Sequence, residues 1–290
     1  MTPDEVGRFC HHLSTRNYSP HTAENYRLDL RLFFVAVDRT PTQVSWREVD
    51  RFIATQYRQG LAATTINRRL NAVKRFYDYL AEEDLAHSVN PVKPSHFLRT
   101  GRPLPKKLTR EHVGSLFAAI DNVMDRALFL LMLRGGLRVS EVAQLRLGDI
   151  DWEQKALLVE QGKGRKDRWV YLSADALSSL HECLRRRPLA AADDYFFWNQ
   201  KRKRRPLTVK AIQKKMERYA QAAGIKASCH SLRHTFASNL LEEGAEVVSI
   251  KELLGHSSVA SSERYARLSN RRVKQEYLQT IRKVINKTRV

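Results

Sequence analysis

Four separated segments of the sequence carry side chains suited to the transfer of a phosphoryl group. They are GLRVSEV at residues 136–142, GKGRKDR at 162–168, HSLRH at 230–234 and LGHSSVASSERY at 254–265. Negative charge develops on the nonbridging oxygens of a phosphodiester during such a reaction, and a planar guanidinium can hold two oxygens in fixed geometry. A tyrosine hydroxyl, with an ordinary pKa of about 10, can attack phosphorus when a neighbouring base takes its proton.

Each of these residues, taken alone, also has an ordinary structural interpretation. Arg138 would be a surface helix residue and Lys163 a turn lysine, because most cationic side chains are exposed. Tyr265 would be half-buried packing, and His256 would belong to a helix end. Their combination in one order along the chain, with His256 nine residues before Tyr265, favours a shared reactive site.

His230 and His234 stand at the i, i+4 spacing that places two imidazoles on one helix face, which would suit zinc. Ser231, however, follows His230 where H-E-x-x-H has glutamate, and the sequence shows no Asp and Glu cluster typical of a two-metal site. The nucleotide motifs G-x-x-x-x-G-K-[ST] and G-x-G-x-x-G are also missing. We therefore predict a reaction without metal or cofactor, and for His234 either a packing role or a role in supporting a reactive side chain.

The charge balance indicates a polyanionic partner. The 290 residues include 51 Lys and Arg against 31 Asp and Glu, which gives a net charge of +20. Residues 101–290 hold 37 of the basic and 20 of the acidic residues, so this part is expected to grip the partner most strongly. Charge alone leaves DNA, RNA and an anionic membrane open.

The sequence also predicts a cytoplasmic location. No apolar run is long enough to span a bilayer, and the acidic N-terminus has no apolar signal core behind it. The three cysteines are far apart and never in a C-x-x-C arrangement, so we expect them to be reduced and structural: Cys10, Cys183 and Cys229.

Helical periodicity dominates the first 90 residues. Ser19 followed by Pro20 is typical of a helix start, and apolar residues then recur at helical spacing as far as Val37. A second helix is predicted from about Thr64 to Leu80. Its polar face carries Arg68, Asn71 and Arg75. Plain solvation and contact with a nucleic acid are both consistent with that face.

A proline-rich, basic segment divides the chain. Residues 90–108 contain four prolines, one glycine and five basic residues, without helical or alternating periodicity. We therefore predict a small helical domain at residues 1–92, a linker at 93–107 and a larger domain at 108–290.

The larger domain is predicted to be mostly helical with a small β-hairpin. Helical patterns cover residues 110–147 and the chain from Leu207 onward. β-prone runs at 156–160 and 168–172 flank GKGRKD, whose composition is typical of a hairpin turn. Three glycines are predicted to stop helices: Gly224, Gly244 and Gly255.

The four segments together resemble the tyrosine recombinase (phage integrase) family and, in length and linker position, its compact Xer-like members. The resemblance covers essentially the whole chain. It implies a mainly α fold, a two-domain C-shaped clamp with an all-helical N-terminal core-binding domain. The catalytic domain would be mostly helical with a small antiparallel β-sheet. Helices of the first domain would enter the major groove of DNA.

By that resemblance, the catalytic residues are Arg138, Lys163, His230, Arg233, His256 and Tyr265. Tyr265 is then the nucleophile, and the two arginines do what metal ions do in many nucleases. Lys163 on a flexible hairpin could protonate the leaving 5′-oxygen. His230 could be the general base or could position another group. Glu141 matches an acidic position of the family and would orient an active-site side chain.

The implied function is site-specific DNA recombination through a 3′-phosphotyrosyl intermediate. Its implied partners are double-stranded DNA with paired half-sites and further copies of the chain, a tetramer in synapsis. A related recombinase is a further candidate partner. With DNA as the substrate, the candidate contacts outside the catalytic set are Arg68, Asn71, Arg75 and Lys166.

Two other functions stay open. A type IB topoisomerase would use the same tyrosine chemistry as a monomer on one duplex, and a DNA-binding regulator would keep the fold without catalysis. The complete set of six residues argues against the regulator. Residues 270–290 have helical apolar spacing. We expect them to reach a neighbouring protomer, with local docking on their own domain as the alternative.

Overall fold

The computed structural model describes residues 4–83, 89–101, 107–160, 167–187, 191, 194–199, 205–255 and 266–288, of which 266–274 by backbone alone. The chain divides into two compact units, Met1–Pro103 and Leu104–Val290. In these described ranges, no helix combines the length and the apolar character that crossing a membrane requires.

Within its described residues, the N-terminal unit has four α-helices. They are α1 (Asp4–Thr15), α2 (Pro20–Val37), α3 (Trp46–Arg58) and α4 (Ala63–Glu82). The hydroxyl of Ser19 caps α2 by accepting from the Thr22 N–H at 3.0 Å, and Pro20 follows at the first helical position. The helices predicted to begin at Ser19 and near Thr64 are therefore confirmed.

Part of the proline-rich segment packs on the N-terminal unit. The amide of Asn67 on α4 donates to the Leu98 carbonyl at 2.8 Å, and its oxygen accepts from the Leu98 N–H at 2.9 Å. Val92 is buried in the same core as the helices, and Phe97 packs against it. These contacts hold the chain to this unit up to about the point where the second unit begins.

The described part of the C-terminal unit contains eight α-helices, one short 3₁₀ helix (Leu147–Asp149) and three strands. The helices are α5 (Arg110–Ala118), α6 (Val123–Gly135), α7 (Val139–Gln144), α8 (Ala174–Arg185), α9 (Val209–Ala222), α10 (Cys229–Glu242), α11 (Val247–Leu254) and α12 (Ala266–Lys287). The strands are β1 (Ile150–Asp151), β2 (Ala156–Val159) and β3 (Arg168–Tyr171). They form one antiparallel sheet in the order β1-β2-β3, in which Leu157 pairs with Ile150 and Val170. The two predicted strands are confirmed, and β1 is an addition.

The helical pattern over residues 110–147 is divided among three helices. Asn122 starts α6 by accepting from the Asp125 N–H at 3.1 Å. Gly136 ends it with φ of 65°, and a Cβ there would stand 2.4 Å from a ring carbon of Phe236. Both the backbone and the space therefore require glycine. The predicted stops are confirmed, since each has a positive φ after a helix: Gly224, Gly244 and Gly255.

Helix α12 packs on its own domain. Tyr277, Ile281 and Val284 are buried in a cluster that includes Phe236 of α10. The Tyr277 hydroxyl donates to the backbone carbonyl of Arg134 at 2.9 Å. This is the local docking named as the alternative: within the single chain the apolar stripe is buried on its own domain, and contact with a neighbouring protomer stays a prediction.

A buried arginine holds the last turn of α12. Arg134 is 1% exposed, and its Nε donates to an Asp175 carboxylate oxygen at 2.9 Å. Its Nη1 and Nη2 donate to the hydroxyl and the carbonyl of Thr288 at 3.1 and 2.8 Å. We call these three residues the α12 anchor. Its guanidinium has one carboxylate partner and an acceptor for every nitrogen, which is what burial of a cation requires.

Candidate active site

A cavity of about 550 Å³ opens in the C-terminal unit between α7, α9 and α10. Three of the six residues predicted to be catalytic line it: Arg138, His230 and Arg233. The remaining predicted residues of this domain lie outside the described residues: Lys163, Lys166, His256 and Tyr265. The structure therefore brings half of the predicted catalytic set to one cavity.

Arg138 begins α7 as its N-cap residue, directly after the turn at Gly136. Its backbone N–H donates to Oε2 of Glu141 at 2.7 Å, and its Nη1 donates to Oε1 at 2.6 Å. Its Nη2 donates to the carbonyl of Gly255 at 3.0 Å. The side chain keeps 22% exposure, so the guanidinium is fixed while part of it faces the cavity.

Arg233 projects from α10 and is 6% exposed. Its Nη1 donates to the carbonyl of Gly136, and its Nη2 donates to the carbonyl of Leu254 at 2.5 Å. Burial, together with the charge of Arg138, lowers the pKa of the Arg233 guanidinium to about 10. The side chain still carries its positive charge at neutral pH.

Arg168, at the start of β3, is a member of this site that the sequence did not single out. Its Nη1 and Nη2 donate to the two carboxylate oxygens of Glu141 at 2.9 and 2.7 Å. Its Nε donates to the carbonyl of Leu253 at 2.9 Å. The only signal in the sequence is that Arg168 ends GKGRKDR, and an arginine at the edge of a charged turn is ordinarily solvated. We call Arg138, Arg168, Arg233 and Glu141 the arginine cluster.

Three consecutive carbonyls at the end of α11 each accept from a different arginine of this cluster: Leu253 from Arg168, Leu254 from Arg233 and Gly255 from Arg138. The last carbonyls of a helix have no partner within it, and the helix dipole places partial negative charge there. Cations are therefore stabilised at this end. The chain continues from it directly to residue 256, so three guanidiniums are fixed beside the start of the segment that contains Tyr265.

The arginine cluster carries an excess of positive charge. Burial alone would raise the pKa of Glu141, but the hydrogen bonds and charge of Arg168, together with the hydrogen bonds of Arg138, outweigh it and lower the pKa to about 2. Glu141 is thus ionised at neutral pH and balances one of three guanidiniums. The uncompensated charge beside an open cavity suits an anionic ligand such as a phosphodiester.

The imidazole of His230 stands at the start of α10, beside the arginine cluster. Its ring centroid lies 4.2 Å from that of His234, with the two planes at 73°. Partial burial, followed by the charges of His234 and Arg233, lowers the pKa of His230 below its ordinary value. A neutral imidazole is therefore favoured at pH 7, and it can accept a proton from a group in the cavity.

The three N-terminal residues predicted to contact DNA lie exposed along α4: Arg68, Asn71 and Arg75. Arg68 also pairs with Asp29, whose side chain is fully buried. Burial raises the pKa of Asp29, and the charge of Arg68 opposes this. Arg75 donates to the Tyr18 hydroxyl. The face is thus open to a ligand, but two of its residues also have partners within the unit.

Comparison with known proteins identifies both units. Residues 106–272 match the phage integrase family, and residues 6–84 match the phage integrase N-terminal SAM-like domain. The tyrosine recombinase XerA of Pyrococcus furiosus is 33% identical over 281 residues, which cover 95% of this chain and 93% of the relative. The tyrosine recombinase XerC of Oceanobacillus iheyensis is 31% identical over 282 residues and 91% of each chain.

Solved structures share the fold at lower identity. The Tn1549 transposon integrase in complex with transposon right end DNA has a TM-score of 0.72 at 19% identity, over 94% of this chain and 100% of the other. A lambda integrase dimer bound to a core site has a TM-score of 0.70 at 18% identity, over 90% and 98%. The predicted fold class, mainly helical with a small antiparallel sheet, is therefore confirmed.

Proposed function

This chain belongs to the phage integrase family of tyrosine recombinases, which cleave and rejoin DNA, and we propose that it exchanges strands between specific DNA sites with Tyr265 as the nucleophile. The excess positive charge of the arginine cluster, next to a cavity and at the head of the segment with Tyr265, is the observation that carries this proposal. Phosphoryl transfer needs such charge where the phosphate oxygens stand in the transition state.

The reaction consists of two successive transesterifications at the same phosphorus. The Tyr265 oxygen attacks the scissile phosphorus and forms the 3′-phosphotyrosyl bond, while the bond from phosphorus to the 5′-oxygen breaks. The phenolic proton passes to His230, and the leaving 5′-oxygen takes a proton from Lys163. A 5′-hydroxyl of another strand then attacks the same phosphorus and releases the tyrosine. The covalent bond stores the energy of the phosphodiester, so the cycle balances without a nucleotide cofactor.

Arg138 and Arg233 hold the two nonbridging oxygens in this scheme, and His256 donates a further hydrogen bond to the phosphate. Their fixed positions matter because donors that are already oriented need no reorganisation as charge develops. Charge stabilisation by arginines predicts that cleavage persists in a chelator. Activity that vanishes with the chelator and returns with magnesium would contradict this assignment.

Each unit contributes its own DNA contacts in this proposal. The exposed α4 face with Arg68, Asn71 and Arg75 reads the major groove, and Lys166 contacts the backbone near the cleavage point. The net charge of +20 supports strong, salt-dependent binding. Paired half-sites, a tetramer in synapsis and a related recombinase as partner belong to the same proposal. The dimer that a lambda integrase forms on a core site supports assembly on paired sites.

Covalent trapping tests the nucleophile. The substrate is a nicked duplex carrying a site recovered by trapping from genomic DNA of the source organism, so that cleavage releases a short strand and the adduct accumulates. Wild type should form a denaturation-resistant adduct, Tyr265→Phe should form none while still binding the duplex, and Tyr57→Phe, at an exposed tyrosine, should match wild type. An adduct that persists in Tyr265→Phe assigns the nucleophile to another residue.

A monomeric, topoisomerase-like strand transferase is the second candidate, and the local docking of α12 favours it. A supercoiled plasmid with two copies of the site distinguishes the two functions. Deletion or inversion between the sites is the product of recombination. Relaxed topoisomers alone, from a plasmid with or without sites, would identify the topoisomerase.

A further inference from the structure

Arg168 is enclosed behind the catalytic arginines rather than in the cavity. Its side chain is 8% exposed, and it is absent from the residues that line the cavity, where Arg138 and Arg233 are present. Each nitrogen of its guanidinium has an acceptor, either on Glu141 or on the Leu253 carbonyl. Arg168 is therefore placed to act on other residues, since each of its three nitrogens already donates to a protein acceptor and its side chain does not line the cavity.

The pairing of Arg168 with Glu141 fixes the carboxylate that holds Arg138. Oε1 of Glu141 accepts from Nη1 of both arginines, at 2.6 Å from Arg138 and 2.9 Å from Arg168. Oε2 accepts from the Arg138 backbone N–H and from Nη2 of Arg168, each at 2.7 Å. With two donors on each oxygen, the carboxylate plane cannot turn without losing charge-assisted hydrogen bonds. Without Arg168, half of these restraints are gone.

Arg168 also follows the end of α11. A Cβ at Gly255 would lie 3.0 Å from Cδ and 3.2 Å from Nη1 of Arg168, so glycine leaves room for the guanidinium to lie across the helix end. Through Leu253, Arg168 contacts the same helix end that Arg138 contacts through Gly255. It therefore ties the orientation of Arg138 to the part of the chain that leads into the tyrosine segment.

We propose that Arg168 is a positioning residue that orients Arg138 toward the scissile phosphate through Glu141 and the end of α11. This role rests on the function proposed above, because Arg138 must act on the charge of a nonbridging oxygen. Loss of Arg168 leaves Arg138 present but misplaced, and the resulting defect depends on the charge of the phosphate.

A substrate with a neutral phosphate isolates this effect. Replacing one nonbridging oxygen at the cleavage point by methyl gives a methylphosphonate, which carries no negative charge and has less need of a guanidinium. Adduct formation with this duplex and with the normal phosphodiester is measured on the same preparation of each variant. The ratio of the two rates then cancels any inactive, misfolded fraction.

Arg168→Met should slow cleavage of the phosphodiester by roughly 10²-fold, the loss typical of one electrostatic contact in a transition state. Cleavage of the methylphosphonate should fall by less than about tenfold, as for Arg138→Ala. The double variant should be little worse than either single one, because both changes remove one interaction. Arg168→Lys should resemble Arg168→Met, since an ammonium cannot bond both carboxylate oxygens in a fixed fork.

The matched control is Arg186→Met, an exposed arginine that also bonds a carboxylate, that of Glu182 on α8. It should cleave both substrates like wild type. With wild type active and Arg138→Ala rescued on the methylphosphonate, equal slowing of both substrates by Arg168→Met would overturn the positioning role and leave the proposed function standing. A wild type that forms no adduct would overturn both.

Discussion

The α12 anchor and the arginine cluster both place guanidiniums at the C-terminal end of a helix, and they differ in charge balance. In the anchor, Arg134 has one carboxylate partner, Asp175, and two acceptors on Thr288. In the cluster, three guanidiniums share the carboxylate of Glu141 and take backbone carbonyls for the rest. The anchor is balanced and closed, whereas the cluster keeps positive charge beside a cavity. The difference teaches that charge balance, rather than burial, separates a structural arginine from one held ready for an anion.

Removing Arg134 from the α12 anchor should have the largest effect on stability. Arg134→Met leaves Asp175 without its cation and frees the last turn of α12, so the free energy of unfolding should fall by about 3–5 kcal/mol. Chemical denaturation at pH 7 measures it, with the exposed Arg186→Met expected to stay within about 0.5 kcal/mol of wild type. A loss for Arg134→Met as small as that of the control would remove the distinction between the two sites.

The pH dependence of stability should come from the cluster's single carboxylate. The pKa of Glu141 falls from 4.5 to about 2 on folding. A lowered pKa contributes stability that is complete above the unfolded value and is lost as pH falls from about 5 to about 2. The contribution is on the order of 3 kcal/mol. Between pH 7 and pH 3, the free energy of unfolding should therefore fall less for Glu141→Gln than for wild type. The control Glu153→Gln, at an exposed glutamate, should match wild type. Parallel curves for all three would show that Glu141 is not the titrating group.

Removing an arginine from the arginine cluster should reduce catalysis more than it reduces stability. Arg233→Ala should slow adduct formation by roughly 10²-fold, while DNA affinity changes little, because the interaction is made mainly in the transition state. Its free energy of unfolding should fall by less than that of Arg134→Met, since one of three like charges is also removed. A gel-shift assay and a single-turnover cleavage assay measure the two quantities. Equal loss of binding and cleavage would make Arg233 a binding residue.

The smallest effect is expected for Asn71 on the N-terminal unit, whose neighbour on the same helix, Arg68, pairs with the buried Asp29 and keeps 51% of its side chain exposed. Asn71→Ala should weaken binding to the cognate site by about 1 kcal/mol without loss of stability. Arg68→Ala should lower both, because it leaves Asp29 buried without its cation. Binding and thermal unfolding of the two variants are the measurements. A stable Arg68→Ala would mean that the Asp29 carboxyl is already neutral in the fold.

Local patterns were sufficient to predict several helix starts and ends. The Ser19 and Pro20 signal predicted α2, and the glycines at 224, 244 and 255 predicted helix ends, because these depend on residues close in sequence. The three cysteines are free and buried, as predicted for structural thiols. The resemblance to the tyrosine recombinase family brought Arg138, His230 and Arg233 together in one set, and they share one cavity.

Contacts between a side chain and backbone atoms distant in the sequence could not be predicted, because they leave no pattern of residue types. The partner of Arg168 on α11 is a carbonyl 85 residues away, and any residue type would supply it. Arg134 stands in the apolar run LFLLMLRGG, which indicates a buried cation but not its partner, Thr288. The placement of α12 was equally hidden, since an amphipathic stripe fits its own domain and a neighbouring one alike. The roles of Lys163, His256 and Tyr265 stay predictions.

Because the acceptors at the end of α11 are main-chain carbonyls, the geometry of the arginine cluster is encoded by where a helix stops. Exchanging a side chain on α11 leaves those oxygens in place. Inserting or deleting a single residue instead turns the helix end by about 100° and shifts it by about 1.5 Å, so all three guanidiniums lose their acceptors on α11 at once. This region should therefore tolerate substitutions far better than insertions or deletions. Among recombinases with altered specificity, whether natural or selected from a library, insertions and deletions should be rarer between Val247 and Gly255 than elsewhere in the chain.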